Sequence, residues 1–459
     1  MAVWSIIKKS ELEGASRTDS EYYQPEYLFN ENIINRIEND NIGNISLNIL
    51  YGTTPSGGEF VRNSKDSVPF IRSQNFNLLS IDADGVVYCD KNHHIKNKKS
   101  TIYPQDILFA AVGATIGQLA IVQNEIREGN INQNIARIRI KDKKFSSSYV
   151  AFFFYSKYGQ KQINRYITGN AQFYLNSTQI ASFRIPVLKD IELFDDYLNK
   201  IQDLIFQSKS LYSQAEQILL EELGLRDLDL QDDLFYTTAL KEVKDNNRMD
   251  TYFFMPKFDI GLSKLKGKYK LKSVLELSRD VTTGQYCNEY IDKKTGIPYI
   301  RGTDTSNATI NEDNLMYVDN PKNNGSKKAK EGDVVTTRVG TIGLVARIPR
   351  ELEGCIISDN LIRIRLPKKS EISSYYLTMY LNSPFGKDLM ISYSRGSVQQ
   401  RLNQETLKEI PIPIVSNSLQ VKIERLLVES WEKRKKAKQL LEQAKHKVEE
   451  MIEKEAEVK

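Results

Sequence analysis

Asp106 to Gly117 reads DILFAAVGATIG, and Asp333 to Gly343 reads DVVTTRVGTIG. In each, an aspartate opens an apolar run that a Val-Gly pair and a Thr-Ile-Gly triplet close, the pattern of strands joined by a glycine turn. The match extends in both directions. Downstream, Asn134-Ile-Ala-Arg-Ile-Arg-Ile pairs with Asn360-Leu-Ile-Arg-Ile-Arg-Leu. Gly169, Gln172, Leu175-Asn176 and Ile185-Pro-Val then pair with Gly396, Gln399, Leu402-Asn403 and Ile412-Pro-Ile. Upstream, Val68-Pro-Phe-Ile-Arg72 pairs with Ile297-Pro-Tyr-Ile-Arg301, and Asp19 with Tyr22-Tyr23 and Pro25 pairs with Asp250 with Phe253-Phe254 and Pro256. The offset is 231 at the aspartates (250 − 19) and 229 at the arginines (301 − 72), so small insertions separate shared strands. A repeat of this length means two copies of one globule.

Inside a copy, Ala136 to Ile140 and Leu361 to Leu366 alternate apolar residues with arginine, which predicts half-buried strands with arginine on the other face. Tyr149 to Tyr158 and Tyr375 to Leu381 are dense aromatic runs and predict short buried helices. After each copy the composition changes: glycine and proline vanish and apolar residues recur at steps of three and four. Ile201, Leu204, Ser208, Leu211, Ala215 and Ile218 form one seam; Ile423, Leu426, Ser430, Ala437, Leu440, Ala444 and Met451 form another. At 1.5 Å per residue these helices would span ~46 and ~60 Å. Gly224 is placed to end the first, and the acidic stretch from Asp227 to Asp233 leads into the second copy. The expected fold is a mixed α+β chain with an internal two-fold pseudo-repeat. Two strand-rich globular recognition domains (1–190 and 248–415) would be separated by two long antiparallel coiled-coil helices (191–224 and 416–459), with 225–247 as linker. The alternative is that each helix packs only on its own globule.

The chain has 459 residues, 40% hydrophobic and 27% charged, with a net charge of +5 that permits a polyanionic partner without requiring one. No apolar run reaches the ~20 residues of a membrane span, and no basic segment followed by an apolar one opens the chain, which points to a cytoplasmic location. The three cysteines Cys89, Cys287 and Cys355 are scattered, so neither a disulfide framework nor a structural zinc site is expected. No two prolines are adjacent and no proline precedes aspartate, which removes the base-holding turn of amino-methyltransferases and the common Pro-Asp nuclease signature. Gly267-Lys268 and Gly386-Lys387 are followed by Tyr269 and Asp388, so neither makes a phosphate-binding loop. His93 and His94 lie in a Lys/Asn-rich stretch without a nearby Asp or Glu to serve as base partner and read as a solvated basic loop. A duplicated globule without catalytic signatures suits a polyanion with its own dyad, duplex DNA, with one half-site for each copy.

The chain resembles the specificity subunit of Type I restriction-modification systems. The residues that carry the resemblance are Arg17 and Asp19 with Tyr22-Tyr23 and Pro25, Gly52-Thr-Thr-Pro55-Ser56, Val68 to Arg72, Asp106 to Gly117 and Asn132-Gln133-Asn134, with their counterparts in the second half. The second copy departs at Thr283-Gly-Gln-Tyr286 and at Ser358-Asp-Asn360. The resemblance implies a non-catalytic, sequence-specific reader of a bipartite double-stranded DNA site that docks two adenine-N6 methyltransferase subunits, with motor-nuclease subunits as further partners. It implies no cofactor of its own; S-adenosylmethionine and ATP would sit on partner subunits. The helices would supply the docking surface, with Ile201, Leu204, Leu211, Ile218, Ile423, Leu426, Trp431 and Leu440 as seam candidates.

Base reading needs forked donors and acceptors, Arg for guanine and Asn or Gln for adenine, while phosphates accept cations, hydroxyls and backbone amides. Strand-end loops are where to look. In the first copy this selects Ser56, Arg72, Gln74, Asn75, Thr115, Gln118, Gln133 and Asn134; in the second, Arg301, Thr303, Arg338, Thr341 and Asn360. Gln172 with Tyr174, and Gln399, Gln400 and Arg401, follow a glycine loop that diverges between copies. Arg72 and Arg301, matched in both, would serve equally as structural ion-pair residues. Lys91 to Lys99 and Lys433-Arg-Lys-Lys436 could track phosphates or simply face solvent. Two other functions fit less well: the DNA-binding part of a self-sufficient restriction or modification enzyme, and a symmetric protein-interaction scaffold.

Overall fold

The computed structural model describes residues 5–9, 12, 18–55, 60–82, 85–167, 174–232, 234–306, 308–313, 315–319, 328–396 and 400–458. It divides into two compact units, one of residues 1–206 with 433–459 and the other of residues 207–432.

The first unit is built on a four-stranded antiparallel sheet in the order Ser46–Tyr51, Ile135–Ile140, Ile107–Ala110, Leu119–Ile121. The duplicated motif thus supplies one strand and the glycine turn that leads into the adjacent one. A three-stranded sheet sets Ser67–Ile71 between Val87–Asp90 and, in parallel, Asn130–Ile131. The second unit has the same two sheets in the same order. Asp280–Thr283, Leu361–Arg365, Val334–Thr337 and Val345–Arg347 form the first; Met316–Val318, Ile297–Ile300 and Ile356–Ile357 form the other. Small strand pairs correspond as well, Asn39–Asn41 with Arg184–Pro186 and Leu271–Ser273 with Pro411–Pro413.

Alternation in the central strands feeds two cores. In the first unit Ile107, Phe109, Ala136 and Ile138 pack toward the helices, while Leu108, Ala120 and Ile135 pack toward the smaller sheet. The other face of these strands, which arginine lines as expected, is therefore covered, and the expected half-burial is corrected: Arg137 is 3% exposed and Arg363 1%. Each buried guanidinium is held locally through its Nη atoms. Arg137 donates to the Thr101 carbonyl, and beside it Arg139 holds both oxygens of the buried Asp106 at 2.7 Å. In the second unit Arg365 holds Asp333 at 2.7 and 2.6 Å, while Arg363 donates to the Lys328 carbonyl at 3.1 Å. The Asp that opens each motif is thus the counter-ion of the Arg-x-Arg strand beside it.

The aromatic runs form helices, Ser147–Tyr155 followed by Lys157–Tyr166 and Ser374–Asn382 followed by Pro384–Ser392, each capped by a serine hydroxyl. Gly159 and Gly386 hold equivalent positions at the close approach of each helix pair. A Cβ there would lie 2.3 Å from the Phe153 oxygen and 2.0 Å from the Tyr380 oxygen.

The long helices are Leu193–Leu223 and Asn417–Val458. Gly224, at φ +68°, ends the first, with Leu225 N–H donating to the Leu220 carbonyl. Lys257 pins the acidic stretch that follows, its ammonium bonded to Asp232, the Leu230 carbonyl and Asp388. Each unit holds a stretch of both helices. In the first, Leu198, Ile201 and Ile205 share a core with Ala437, Leu441, Ala444, Val448 and Ile452. In the second, Ala215, Leu219 and Leu223 share one with Leu419, Ile423 and Leu427. Ser208, near the start of one stretch, bonds Ser430, near the end of the other, so the pair runs antiparallel. The predicted seam is corrected at alternate positions. Ile205, Leu219, Leu427 and Leu441 are the buried ones, while Leu204, Leu211, Ile218, Leu426 and Leu440 are only half-buried. Trp431 packs at a tilt against Tyr375 of its own globule, 5.4 Å between ring centres.

Candidate nucleic-acid interface

The sheets bring the predicted loops to one edge in each unit, because their strands end in register. In the first, the pairings of Ala136 with Tyr51 and Ile135 with Ala110 set residues 52–55, 132–134 and 111–118 at the same end of the sheet. Backbone bonds close the group: Thr53 N–H to the Ile131 carbonyl, Asn132 N–H to that of Ile71, Ala111 N–H to that of Asn134 and Leu175 N–H to that of Ala111. Gly52 makes the approach possible; a Cβ there would lie 1.8 Å from the Ile131 oxygen. The second unit repeats the group. Gln285 N–H bonds the Ile357 carbonyl, Ser358 N–H that of Ile300, Arg338 N–H that of Asn360 and Leu402 N–H that of Arg338.

On this shared frame the side chains differ. Gln74, Gln118, Gln133 and Tyr174 are exposed in the first unit, with Arg72, Thr115 and Asn134 half-buried. Thr303, Thr341, Asn360, Gln400 and Arg401 are exposed in the second, with Arg301 and Arg338 half-buried. Ser56, Gln172 and Gln399 lie outside the described residues. Asn75 is fully buried, and its carboxamide oxygen accepts from the Arg72 N–H at 2.8 Å, so it caps the turn and does not face outward. Arg301 is held in a fork by Asp304 at 3.1 and 3.0 Å. Among the described residues Arg72 is in no ion pair; it donates to the Gly85 carbonyl at 3.2 Å and lies over Phe60.

The histidine pair corrects the sequence reading. Lys91–Lys96 is a helix, His94 is buried with Nδ1 2.6 Å from the Asn130 side-chain oxygen, and Glu128, distant in sequence, comes within 3.6 Å of its Nε2. His93 reaches the Thr53 carbonyl at 3.0 Å and so braces the edge. Arg434 of the basic run donates to Asn77 at 3.3 Å. Sequence reasoning passed over one exposed side chain at the second unit's edge, Arg395, bridged through the backbone to Arg401, and named Tyr286, 72% exposed, only as part of a divergent stretch. The signal for Tyr286 was its place in the stretch where the copies depart.

Among the described residues no group of three or more His, Cys, Asp or Glu could hold a metal, and no helix is long and apolar enough to cross a membrane. Burial pushes the Cys89 thiol up to about 11 and the Cys355 thiol up to about 12, so neither provides a ready thiolate.

Residues 264–443 match the Type I restriction modification DNA specificity domain. Over 413 residues the chain is 22% identical to the Type I restriction enzyme EcoBI specificity subunit of Escherichia coli, covering 85% of this chain and 77% of that one. Among solved structures it is similar to the Type I restriction-modification S subunit of M. genitalium, with 14% identity, 92% and 96% coverage and a TM-score of 0.37. It is also similar to the HsdS subunit of Thermoanaerobacter tengcongensis, with 12% identity, 91% and 96% coverage and a TM-score of 0.29. Residues 264–443 thus match the Type I restriction modification DNA specificity domain, and the chain as a whole is similar to specificity subunits of Type I restriction-modification systems.

Proposed function

We propose that this chain reads a split double-stranded DNA site, one half with each unit, and docks two adenine-N6 methyltransferase subunits through its long helices, with motor-nuclease subunits as further partners. The observation that carries the reading is the pair of strand-end edges, whose backbone bonds correspond one for one while their side chains differ. A shared frame with divergent polar side chains is what two unlike half-sites require, since backbone and phosphate contacts position a reader and side chains at base edges specify. The recognition domains are 1–190 and 248–415, and the helices 191–224 and 416–459 are the spacer. Because Ile201 and Ile423 are fully buried in their own units, docking falls to exposed apolar positions such as Phe206, 71% exposed, and Val421, 55% exposed.

The test is to co-purify the full chain with its methyltransferase subunit, supply random duplex DNA and a labelled methyl donor, and map the methylated adenines. A motif in two defined parts with an undefined middle is expected. An active methyltransferase that methylates without sequence preference in the presence of the chain would overturn the reading. Salt-dependent retention on duplex DNA separates it from a scaffold that binds only protein.

A further inference from the structure

The two edges differ most where their backbones agree best. In the first unit Ala111 N–H bonds the Asn134 carbonyl, Leu175 N–H bonds the Ala111 carbonyl, and Val112 bridges Tyr174. In the second, Arg338 N–H bonds the Asn360 carbonyl, Leu402 N–H bonds the Arg338 carbonyl, and Val339 bridges Arg401. Identical scaffolding thus presents Ala111 and Tyr174 on one side and Arg338 and Arg401 on the other, with Arg395 bridged to Arg401. Ala111 is fully buried and carries no donor; Arg338 is half-buried at the same place.

Arg338 is held unlike a rim cation. Both its backbone groups are engaged, and Nη1 donates to the Asp359 carbonyl at 3.3 Å, which orients the guanidinium plane. Its Nε is buried without a hydrogen-bond partner. A buried donor left unmet is a cost that an arriving acceptor removes. A forked donor fixed at a strand end matches the two acceptors, O6 and N7, that only guanine sets side by side in the major groove. Arg395 and Arg401, exposed at the rim, suit phosphates instead.

We propose that Arg338 is the guanine-reading residue of the second unit, flanked by Arg395 and Arg401 on the DNA backbone, and that the first unit, with Ala111 and Tyr174 in these places, makes no equivalent contact there. The inference rests on the DNA-reading function proposed above. It assigns a G·C pair to one half-site and places more of the electrostatic grip in the second unit.

The test uses the full chain with its methyltransferase and selection from a random duplex library. The unaltered chain should enrich a split motif with a fixed G·C pair in one half. Arg338→Ala and Arg338→Lys should each relax that pair by roughly tenfold to a hundredfold, leaving the other half-site unchanged as an internal check on folding. Lysine keeps the charge and loses the fork, so Arg338→Lys should retain the salt dependence. Arg395→Ala and Arg401→Ala should weaken all sequences alike and lower the slope of log affinity against log salt by about 0.9 each. A split motif left unchanged by Arg338→Lys, or weakened uniformly by Arg338→Ala, overturns the inference while the function stands. No enriched sequence from the unaltered chain overturns both.

Discussion

The turn after the strand ending at Ile71 and the turn after the strand ending at Ile300 have the same backbone and hold their arginines differently. In both, the third residue on caps the turn: the Asn75 oxygen accepts from Arg72 N–H at 2.8 Å, and the Asp304 oxygen accepts from Arg301 N–H at 2.8 Å. Asp304 is a carboxylate and therefore also takes the Arg301 guanidinium in a fork. Asn75 cannot, and Arg72 turns to a carbonyl and an aromatic ring instead. One atom, oxygen for nitrogen, changes what an arginine can offer a ligand without moving the chain. The repeat keeps its frame through such capping residues and varies its chemistry on top of them.

The largest expected effect comes from breaking the frame itself. Asp333 is 2% exposed and serves Arg365 in a fork, with the buried Arg363 at 3.7 Å. Asp333→Ala would strand Arg365 and leave Arg363 with Asp280 as its carboxylate partner, and denaturant unfolding should show a loss of about 3–5 kcal/mol in the second unit. Asp106→Ala, which strands the half-exposed Arg139, should cost less; equal losses would mean that Arg363 takes nothing from Asp333. Next come adjacent leucines of the second helix. Leu427→Ala should cost about 3 kcal/mol and Leu426→Ala about 1, because only Leu427 is fully buried, and a reversed order of unfolding midpoints would refute the corrected seam. The smallest effects on stability bear directly on the opening comparison. Asp304→Asn should cost about 1 kcal/mol, keep the cap and release Arg301, altering base preference in the second half-site alone. Asn75→Asp should tie Arg72 down and weaken the first half-site. If both substitutions leave DNA selection unchanged, these arginines are structural in both units.

Much of the fold was legible because its signals are local and came twice. Val-Gly pairs, Arg-x-Arg strands, serine caps and a proline after each aromatic pair recur in order, so one reading checked the other. The candidate edge was legible in part. Strand-end loops can be found from sequence, but whether a side chain there faces outward cannot: Asn75 and Asn134 look alike in the chain, and only one is buried. His94 was misread because its partners, Asn130 and Glu128, lie over thirty residues away.

By itself the sequence determined that the chain is duplicated, that each copy is a strand-rich globule with glycine turns, and that each is followed by a long helix. Periodicity and turn chemistry act over a few residues and survive in a row of letters. Only the tertiary structure decided which side of each helix is the seam. On a helix turning about 100° per residue, positions three and four beyond a seam residue lie about 60° to one side and 40° to the other, both inside an apolar stripe. Leu204-Ile205, Ile218-Leu219, Leu426-Leu427 and Leu440-Leu441 are apolar at both positions, so the sequence leaves the rotation open. The rotation is set by packing against the globules and the facing helix, which buries the later residue of every pair. In the same way the arginines of the central strands were visible, but the smaller sheet that covers them was not, because that face is closed by strands brought together only when the chain folds.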